Sequence, residues 1–206
     1  LMNALHALNG NRVTKYTLAT EAAAIELDVL ERVMGKQDHF AVAYGSFNVY
    51  TFNADETVTV EPVYYDPGVV ESLNSSLMLF YMGDQRDASG VLKAQAAATD
   101  EKEGVLSAMC DMVDPMVEIL SGRGDLSDVG PMLHESWMLK RSITEQVSND
   151  EIDMAYGRAM EAGATGGKLL GAGGGGVLLF FVEPSRQPEV ATALTGMPFI
   201  KPRFDT

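Results

Sequence analysis

The chain has 206 residues, of which 46% are apolar, and a formal net charge of −14 at pH 7. The length and the apolar content allow one large domain or two small ones with a buried core. The acidic balance argues against nucleic acid and anionic membranes as partners, because both bind basic patches. The single cysteine, Cys110, excludes an internal disulfide and suits a reducing cytoplasm, where we expect the protein.

The first third of the sequence predicts helices and one hairpin. Apolar residues recur at helical spacing over residues 17–30, which predicts an amphipathic helix. Residues 45–52 and 58–60 have strand composition on either side of a polar turn, which predicts a β-hairpin. The tetrapeptide Tyr65-Asp66-Pro67-Gly68 is typical of a turn and suggests a boundary between domains.

The rest of the chain predicts one strand, several helices and three further strands. The predicted elements are a strand over residues 77–82, helices over 88–99, 103–120, 126–145, 150–162 and 187–194, two strands around a glycine-rich run, and a strand over 199–203. Asn149 is placed to cap the fourth helix. Cys110 has no visible base partner, so we expect it to be buried and inert. This order of elements is compatible with an α+β fold of the split βαβ type.

The glycine-rich run lies between Lys168 and an apolar segment at residues 177–182. Its letters Gly171-x-Gly173-x-x-Gly176 match the dinucleotide-binding fingerprint, which requires a strand before the loop and a helix after it. Here a strand follows, so the context excludes a Rossmann unit. A glycine loop between two strands predicts a close approach of backbone to a ligand, and a purely structural hairpin loop is the alternative.

Four other segments accompany this loop. They are residues 21–30, Glu-Ala-Ala-Ala-Ile-Glu-Leu-Asp-Val-Leu; residues 35–48, which begin Gly-Lys-Gln-Asp-His; residues 80–89, which contain Gly-Asp-Gln-Arg-Asp; and residues 133–141, Leu-His-Glu-Ser-Trp-Met-Leu-Lys-Arg. In this order and spacing they resemble the GHMP small-molecule kinases, the superfamily of galactokinase and mevalonate kinase. The similarity is to the branch that phosphorylates heptose 7-phosphates, and it covers nearly the whole chain.

The resemblance implies an α+β architecture with two parts. Residues 73–206 would form a C-terminal GHMP kinase domain, a split βαβ, ferredoxin-like arrangement. Residues 1–72 would be the remaining part of an α+β N-terminal kinase domain. The implied activity is an ATP-dependent phosphotransferase that uses Mg²⁺ and phosphorylates a sugar or sugar phosphate, at branch level the anomeric hydroxyl of a heptose 7-phosphate. A fucose or galactose kinase and a non-catalytic sugar-binding or regulatory relic are the alternatives.

The family's phosphate-binding loop is absent from this sequence. In GHMP kinases a Gly-Leu-Gly-Ser-Ser-Ser type loop at a helix N-terminus holds the ATP phosphates with backbone N–H groups and the helix dipole. No Gly-x-Gly-Ser-Ser sequence occurs here, and residues 1–8 resemble the helix that follows that loop. We therefore expect the chain to begin just after the loop, and to form a homodimer or associate with the upstream segment.

Two carboxylates match the family's catalytic positions. The resemblance assigns Asp38 as the group that orients the acceptor hydroxyl and takes its proton, an effect typically worth about 10²–10⁴ in rate. It assigns Glu26 as the magnesium ligand, since Mg²⁺ binds one or two carboxylates beside phosphate oxygens and water. A helix-capping or solvated Asp38 and an exposed helix glutamate at Glu26 are the alternatives.

The remaining site residues concern phosphate groups. The resemblance places the loop Gly171, Ala172, Gly173, Gly174, Gly175 and Gly176 against the nucleotide phosphates and the acceptor sugar. Arg86 is a candidate for the substrate phosphate, because a guanidinium fork suits such a group better than a lysine does. Lys168 is a second candidate, because its position beside the glycine loop could make it face the phosphates. Arg86 could instead pair with a neighbouring aspartate and Lys168 could be solvated. Lys140 and Arg141 are secondary candidates.

Two positions depart from the branch pattern. Ser46 stands where that branch usually has a second glycine, and His39 stands where it usually has glutamine. Neither change removes a charged catalytic group, so the resemblance to the superfamily holds.

Overall fold

The computed structural model describes residues 1–83 and 88–204. The chain folds as two compact units, residues 1–63 and residues 64–204. Residues 64–72, which we expected in the first domain, lie in the second unit. The assignment of the two units to domains of the family stays a prediction.

The first unit contains three helices and a hairpin. Its elements are α1 (Met2–Leu8), α2 (Lys15–Ala24), a π-helical turn (Ile25–Val29) continuous with α2, α3 (Gln37–Tyr44), β1 (Asn48–Phe52) and β2 (Val58–Pro62). The side chain of Thr14 caps α2 by accepting a hydrogen bond from the backbone N–H of Thr17 at 3.0 Å. The predicted helix over residues 17–30 and the predicted hairpin are both present, and the strands pair antiparallel.

Phe40 is the centre of the core of this unit. It is fully buried, and Ala19 and Val58 are buried beside it. The rings of Tyr16 and Tyr50 meet its ring edge-on, with centroids 5.6 and 6.4 Å away. Such edge-to-face pairs are favoured by the ring quadrupoles. They fix α3 against α2 and the hairpin.

The second unit contains the remaining helices and a four-stranded sheet. Its elements are α4 (Pro67–Ser76), β3 (Leu77–Tyr81), α5 (Ala88–Ala98), α6 (Glu103–Cys110), α7 (Val113–Leu120), α8 (Val129–Arg141), α9 (Asp150–Glu161), β4 (Gly166–Leu169), β5 (Val177–Phe181), α10 (Gln187–Ala193) and β6 (Phe199–Ile200). Asn149 caps α9 as expected, with its side chain accepting from Ile152 N at 3.0 Å.

The sheet has the strand order β4-β5-β3-β6, with every neighbouring pair antiparallel. The two central strands are therefore β5 and β3, while β4 and β6 form the edges. A strand, helices, a hairpin, a helix and a last strand in this order make up the predicted split βαβ, ferredoxin-like arrangement. The α+β prediction is confirmed.

Helix α8 lies close against β4. A Cβ atom at Gly166 would stand 1.8 Å from the carbonyl oxygen of Gly130, so only glycine allows this approach. The approach places Trp137, which has 0% exposure, in the core between α8, α9 and the sheet. The indole Nε1 of Trp137 has no hydrogen-bond partner among the residues described.

Some local predictions were wrong. Asp66 and Pro67 do not form a turn; Asp66 caps α4 by accepting from Gly68 N and Val69 N at 2.7 and 3.1 Å, and Pro67 is the first helical residue. The helix predicted over residues 103–120 is interrupted at Asp111 and Met112. A continuous helix there would lose the bond that Pro115 cannot donate.

Other predictions were wrong in extent or burial. The helix predicted over residues 126–145 is a short 3₁₀ turn (Leu126–Asp128) followed by α8, and the last strand has only the two residues of β6. Cys110 is exposed rather than buried, because it ends α6 beside the interruption.

No helix in residues 1–83 or 88–204 is long and apolar enough to cross a bilayer.

Candidate functional site

Asp38 lies in the first turn of α3. Its side chain is exposed and makes no hydrogen bond or ion pair with any other residue that the structure describes. A carboxylate at this position interacts favourably with the N-terminal end of the helix dipole. Because Phe40 anchors the same turn in the core, the carboxylate is carried on a fixed backbone and faces solvent. The geometry suits a group that must meet a substrate hydroxyl.

Glu26 lies in the π-helical turn that follows α2, a local widening that is frequent at functional sites. One carboxylate oxygen lies 3.3 Å from Nε2 of His39, and the other lies 3.4 Å from a guanidinium nitrogen of Arg32. The His39 side chain is only 9% exposed, and its Nδ1 is buried without a partner in the described part of the chain. His39 therefore ties the α3 turn of Asp38 to Glu26.

Among these residues, Glu26 is the one carboxylate that we consider as a ligand for Mg²⁺. Residues 1–83 and 88–204 contain no cluster of three acidic, histidine or cysteine side chains that could hold a metal. Mg²⁺ at a nucleotide site takes one or two carboxylates, phosphate oxygens and water, so a single glutamate is a sufficient contribution from the protein. Glu26 fits this role, because the carboxylate oxygen that His39 does not hold has only the contact with the exposed Arg32, at 3.4 Å.

The first unit also contains a cavity of about 520 Å³. Its lining combines apolar side chains of α2, Phe40 and Val58 with Asp28. Lys36 and Glu56, which form an ion pair, complete the wall. Neither Asp38 nor Glu26 is among the lining residues, so this cavity is separate from the two predicted catalytic carboxylates.

The glycine loop of the second unit is fixed by contacts on both sides. Gly174 N donates to the carbonyl of Val147 at 2.9 Å, and the Gln95 side-chain amide donates to the carbonyl of Ala172 at 2.9 Å. A Cβ atom at Gly173 would lie 2.8 Å from Cα of Val147. Four glycines of the loop, Gly171, Gly173, Gly174 and Gly176, have φ between +75° and +124°. The loop is therefore ordered rather than a slack hairpin connection.

Two lysines flank this loop. Lys168, in β4, donates to Oγ of Ser136 on α8 at 3.2 Å. Lys140, one helical turn after Ser136, donates to the carbonyl of Gly171. Burial lowers the pKa of both ammonium groups, that of Lys140 to about 8, with repulsion from Lys168 as a second cause. The sequence predicted Lys168 as a phosphate-binding residue and Lys140 as a secondary candidate. No sequence pattern predicted that Lys140 of α8 would contact the loop.

Arg86, predicted to recognise the substrate phosphate, lies outside the described residues and keeps that role as a prediction. Its secondary alternative Arg141 is engaged elsewhere, because it pairs with Asp153 at 2.5 Å. His134 on α8 contacts the core of the second unit. Its Nδ1 lies 2.7 Å from the hydroxyl of Tyr156, which in turn donates to the carbonyl of Gly167 at 3.2 Å.

The part of the chain that contains α8, the two lysines and the glycine loop matches a known protein family. Residues 112–197 match the family described as GHMP kinases C terminal. The second unit contains a GHMP kinase C-terminal domain. The strand order of the second unit and the glycine loop between β4 and β5 are thus features of a GHMP kinase C-terminal domain.

Individual GHMP kinases resemble the chain over most of its length. The D-glycero-alpha-D-manno-heptose 7-phosphate kinase of Campylobacter jejuni is 30% identical over 182 residues, which is 87% of this chain and 53% of that protein. The galactokinase of Pyrococcus furiosus is 25% identical and is matched over 94% of this chain and 60% of its own length.

A solved structure shows the same relationship. The crystal structure of a D-glycero-D-manno-heptose 1-phosphate kinase from Bacteroides thetaiotaomicron superposes with a TM-score of 0.66 and 26% identity. The match covers 98% of this chain and 56% of that one. The chain therefore spans about half the length of the GHMP kinases that it matches.

Proposed function

We propose that this chain is part of an ATP-dependent sugar kinase that phosphorylates the anomeric hydroxyl of a heptose 7-phosphate. The observation that carries the proposal is Asp38, an exposed carboxylate without a partner in the described residues, on a turn anchored by Phe40. The similarity to a heptose 7-phosphate kinase and to a galactokinase supports a sugar or sugar phosphate as the acceptor.

Asp38 would act on the acceptor. Its carboxylate accepts the proton of the attacking hydroxyl as the new O–P bond forms and the bond to the ADP leaving oxygen breaks. An anomeric hydroxyl is more acidic than an ordinary alcohol, so a weak base is sufficient. Phosphoryl transfer asks mainly for alignment of this kind and for compensation of charge.

Glu26 would hold the magnesium ion, and His39 would orient Glu26. A bound Mg²⁺ supplies positive charge to the phosphate oxygens of ATP during transfer. The protein's contribution is to keep the glutamate carboxylate in place, and the contact with His39 Nε2 at 3.3 Å does this. Arg32 would have to release the other carboxylate oxygen before Glu26 could use it as a ligand.

The glycine loop would approach the nucleotide phosphates and the acceptor sugar. Its backbone is held by Val147 and Gln95, and it lacks side chains that would keep a ligand away. Lys168 and Arg86 would recognise the phosphate that the sugar already carries. A cytoplasmic location would give the enzyme access to ATP and would keep Cys110 reduced.

There are two alternatives. Similarity to galactokinases and to a plant bifunctional fucokinase/GDP-fucose pyrophosphorylase supports galactose or fucose as the acceptor. A non-catalytic sugar-binding or regulatory relic of a GHMP kinase would bind a sugar without transferring phosphate.

ADP formation by the chain with Mg²⁺, ATP and a panel of heptose 7-phosphate, galactose and fucose tests the proposal. We expect heptose 7-phosphate to give the largest rate, and Asp38→Asn to lower that rate by about 10²-fold or more. A rate that Asp38→Asn leaves within twofold would exclude the proposed base. Sugar binding without any turnover, even after the upstream segment is added, would favour the relic.

We also propose that the chain associates with itself or with an upstream segment of the same protein. Leu8, Val29 and Val42 in the first unit are between 72% and 86% exposed, and α1 has no buried residue. Exposed apolar surface of this kind invites association. Sedimentation at micromolar concentration should show a dimer or larger species, and a clean monomer would contradict self-association.

A further inference from the structure

Two ammonium groups meet between α8 and the strand that leads into the glycine loop. Lys168 reaches from β4 to Ser136 on α8, with 3.2 Å between its Nζ and Oγ. Lys140 reaches from α8 to the carbonyl of Gly171, at the start of the loop. Ser136 and Lys140 are one turn apart and share a face of the helix. Lys168 thus links β4 to α8, and Lys140 links α8 to the loop that follows β4.

Neither lysine has a counter-charge in residues 1–83 or 88–204. No carboxylate of the described residues lies within ion-pair distance of Lys140 or Lys168, whereas their neighbour Arg141 pairs with Asp153. The acidic side chains nearest in sequence, Glu135 on α8 and Glu145 in the following 3₁₀ turn, are exposed. In a chain with a net charge of −14, two half-buried lysines without a carboxylate are an unusual arrangement.

This arrangement is unfavourable unless an anion is bound. Burial lowers the pKa of both lysines, and Lys140 is also repelled by Lys168. A buried charge costs stability unless it is compensated, and two like charges add to that cost. A dianion between the two ammonium groups would remove both penalties at once.

We propose that Lys140, Lys168 and Ser136 form a binding site for a phosphate group. Two ammonium groups and one hydroxyl supply donors from different directions, which suits a tetrahedral dianion with several acceptor oxygens. The site deepens the proposed function and rests on it in one respect, namely that the acceptor is a sugar phosphate. The binding of phosphate itself does not depend on turnover.

The site would act as a specificity determinant. A sugar with its own phosphate compensates both lysines, while a sugar without one leaves them unpaired. Discrimination that depends on leaving polar groups unpaired is stronger than discrimination by shape alone. The phosphates of the nucleotide are a second source of the same chemistry, and the experiment below separates the two sources.

Calorimetric titration of the chain with inorganic phosphate near neutral pH tests the site. We expect Lys140→Met and Lys168→Met each to weaken phosphate binding by about tenfold or more, because each removes a charged donor. Lys201→Met is the matched control, since Lys201 is an exposed lysine of the same unit. Binding of phosphate by both site variants within twofold of the unchanged chain would overturn the proposal.

A measurement on the unchanged chain covers the case in which a variant fails to fold. Nuclear magnetic resonance of the lysine side chains can follow the pKa of Lys140 with and without phosphate. A bound dianion should raise the pKa of Lys140 from about 8 toward the ordinary value. A pKa that does not move at saturating phosphate would also overturn the proposal.

Displacement then identifies the source of the phosphate. Competition with heptose 7-phosphate, but not with the unphosphorylated heptose, would assign the site to the acceptor. Competition with a non-hydrolysable ATP analogue alone would assign it to the nucleotide. Either result supports a phosphate site, and displacement by neither ligand would count against it. Because turnover is not read, failure here is distinguishable from failure of the kinase proposal.

Discussion

Nε2 of His39 lies 3.3 Å from Oε2 of Glu26, and this contact joins the helix of Asp38 to the π-helical turn. The two residues are far enough apart in sequence that the contact fixes tertiary structure rather than local helix geometry. The His39 side chain is also largely covered, so its loss affects both packing and the orientation of Glu26.

Substitution of His39 tests this contact. We expect His39→Ala to lower the free energy of unfolding by about 1–3 kcal/mol, because it removes a hydrogen bond to a charged group and leaves a void. His39→Gln keeps an N–H donor and should lose less. Urea denaturation of the two variants measures the difference, and equal losses would show that only packing matters at this position.

The close approach of the glycine loop to Val147 predicts different effects of two neighbouring substitutions. At Gly173 a Cβ atom would lie 2.8 Å from the backbone of Val147, while at Gly174 the nearest atoms would be 3.7 Å away. Both residues have positive φ, so both variants carry backbone strain of about 1–3 kcal/mol.

Gly173→Ala should therefore be clearly less stable than Gly174→Ala, since only Gly173→Ala adds a clash with backbone. Thermal unfolding of the two variants provides the comparison, with Gly174→Ala as the matched control. A melting temperature for Gly173→Ala equal to or above that of Gly174→Ala would refute the close approach.

Ser46 has φ of +55°, in a region that L-residues with a Cβ atom disfavour. Ser46→Gly should therefore stabilise the chain by up to about 1 kcal/mol, after allowance for the greater entropy of glycine in the unfolded state. Chemical denaturation measures this gain. A loss of stability would mean that the serine side chain makes a contribution larger than the strain.

The pKa of Lys140 predicts how stability depends on pH. The folded state releases its proton at about pH 8, and the unfolded state releases it near the ordinary value of 10.5. Between these values the unfolded state binds more protons, so the free energy of unfolding rises with pH. The destabilisation from the buried charge is fully present below about pH 8 and is relieved above it.

Lys140→Met should reduce this rise of stability with pH. A smaller rise should remain in that variant, because burial also lowers the pKa of Lys168. Denaturation curves at about pH 7 and about pH 10 for the unchanged chain, Lys140→Met and Lys201→Met give the comparison. If the slope is the same in all of them, Lys140 does not carry a buried charge.

The sequence predicted those parts of the fold that depend on local pattern. Residues 177–181 are apolar throughout and form β5, one of the two central strands. Asn149 caps α9 because its side chain reaches the N–H three residues later. The prediction of a turn at Asp66-Pro67 was wrong, because an aspartate followed by proline is common both in turns and at helix N-termini, where aspartate is the N-cap and proline the first helical residue.

The candidate site was predictable only in part. Asp38, Glu26 and the glycine loop were found because their segments resemble a family, whereas the contact between Lys140 and Gly171 joins residues far apart in the chain. No periodicity can reveal such a pair, since it depends on how closely α8 packs against β4. Gly130 and Gly166 allow this packing, but neither belongs to a sequence pattern that predicts a close approach.

The burial of Trp137 has a practical consequence. It is the one tryptophan in the sequence, and it lies in the same helix as Lys140, with its ring 6.4 Å from that of Tyr156. Its emission therefore comes from a single indole, shielded from water and from added quenchers for as long as α8 stays on the sheet. The protein carries an intrinsic fluorophore beside the lysine pair, so movement of this helix can be followed optically without a label.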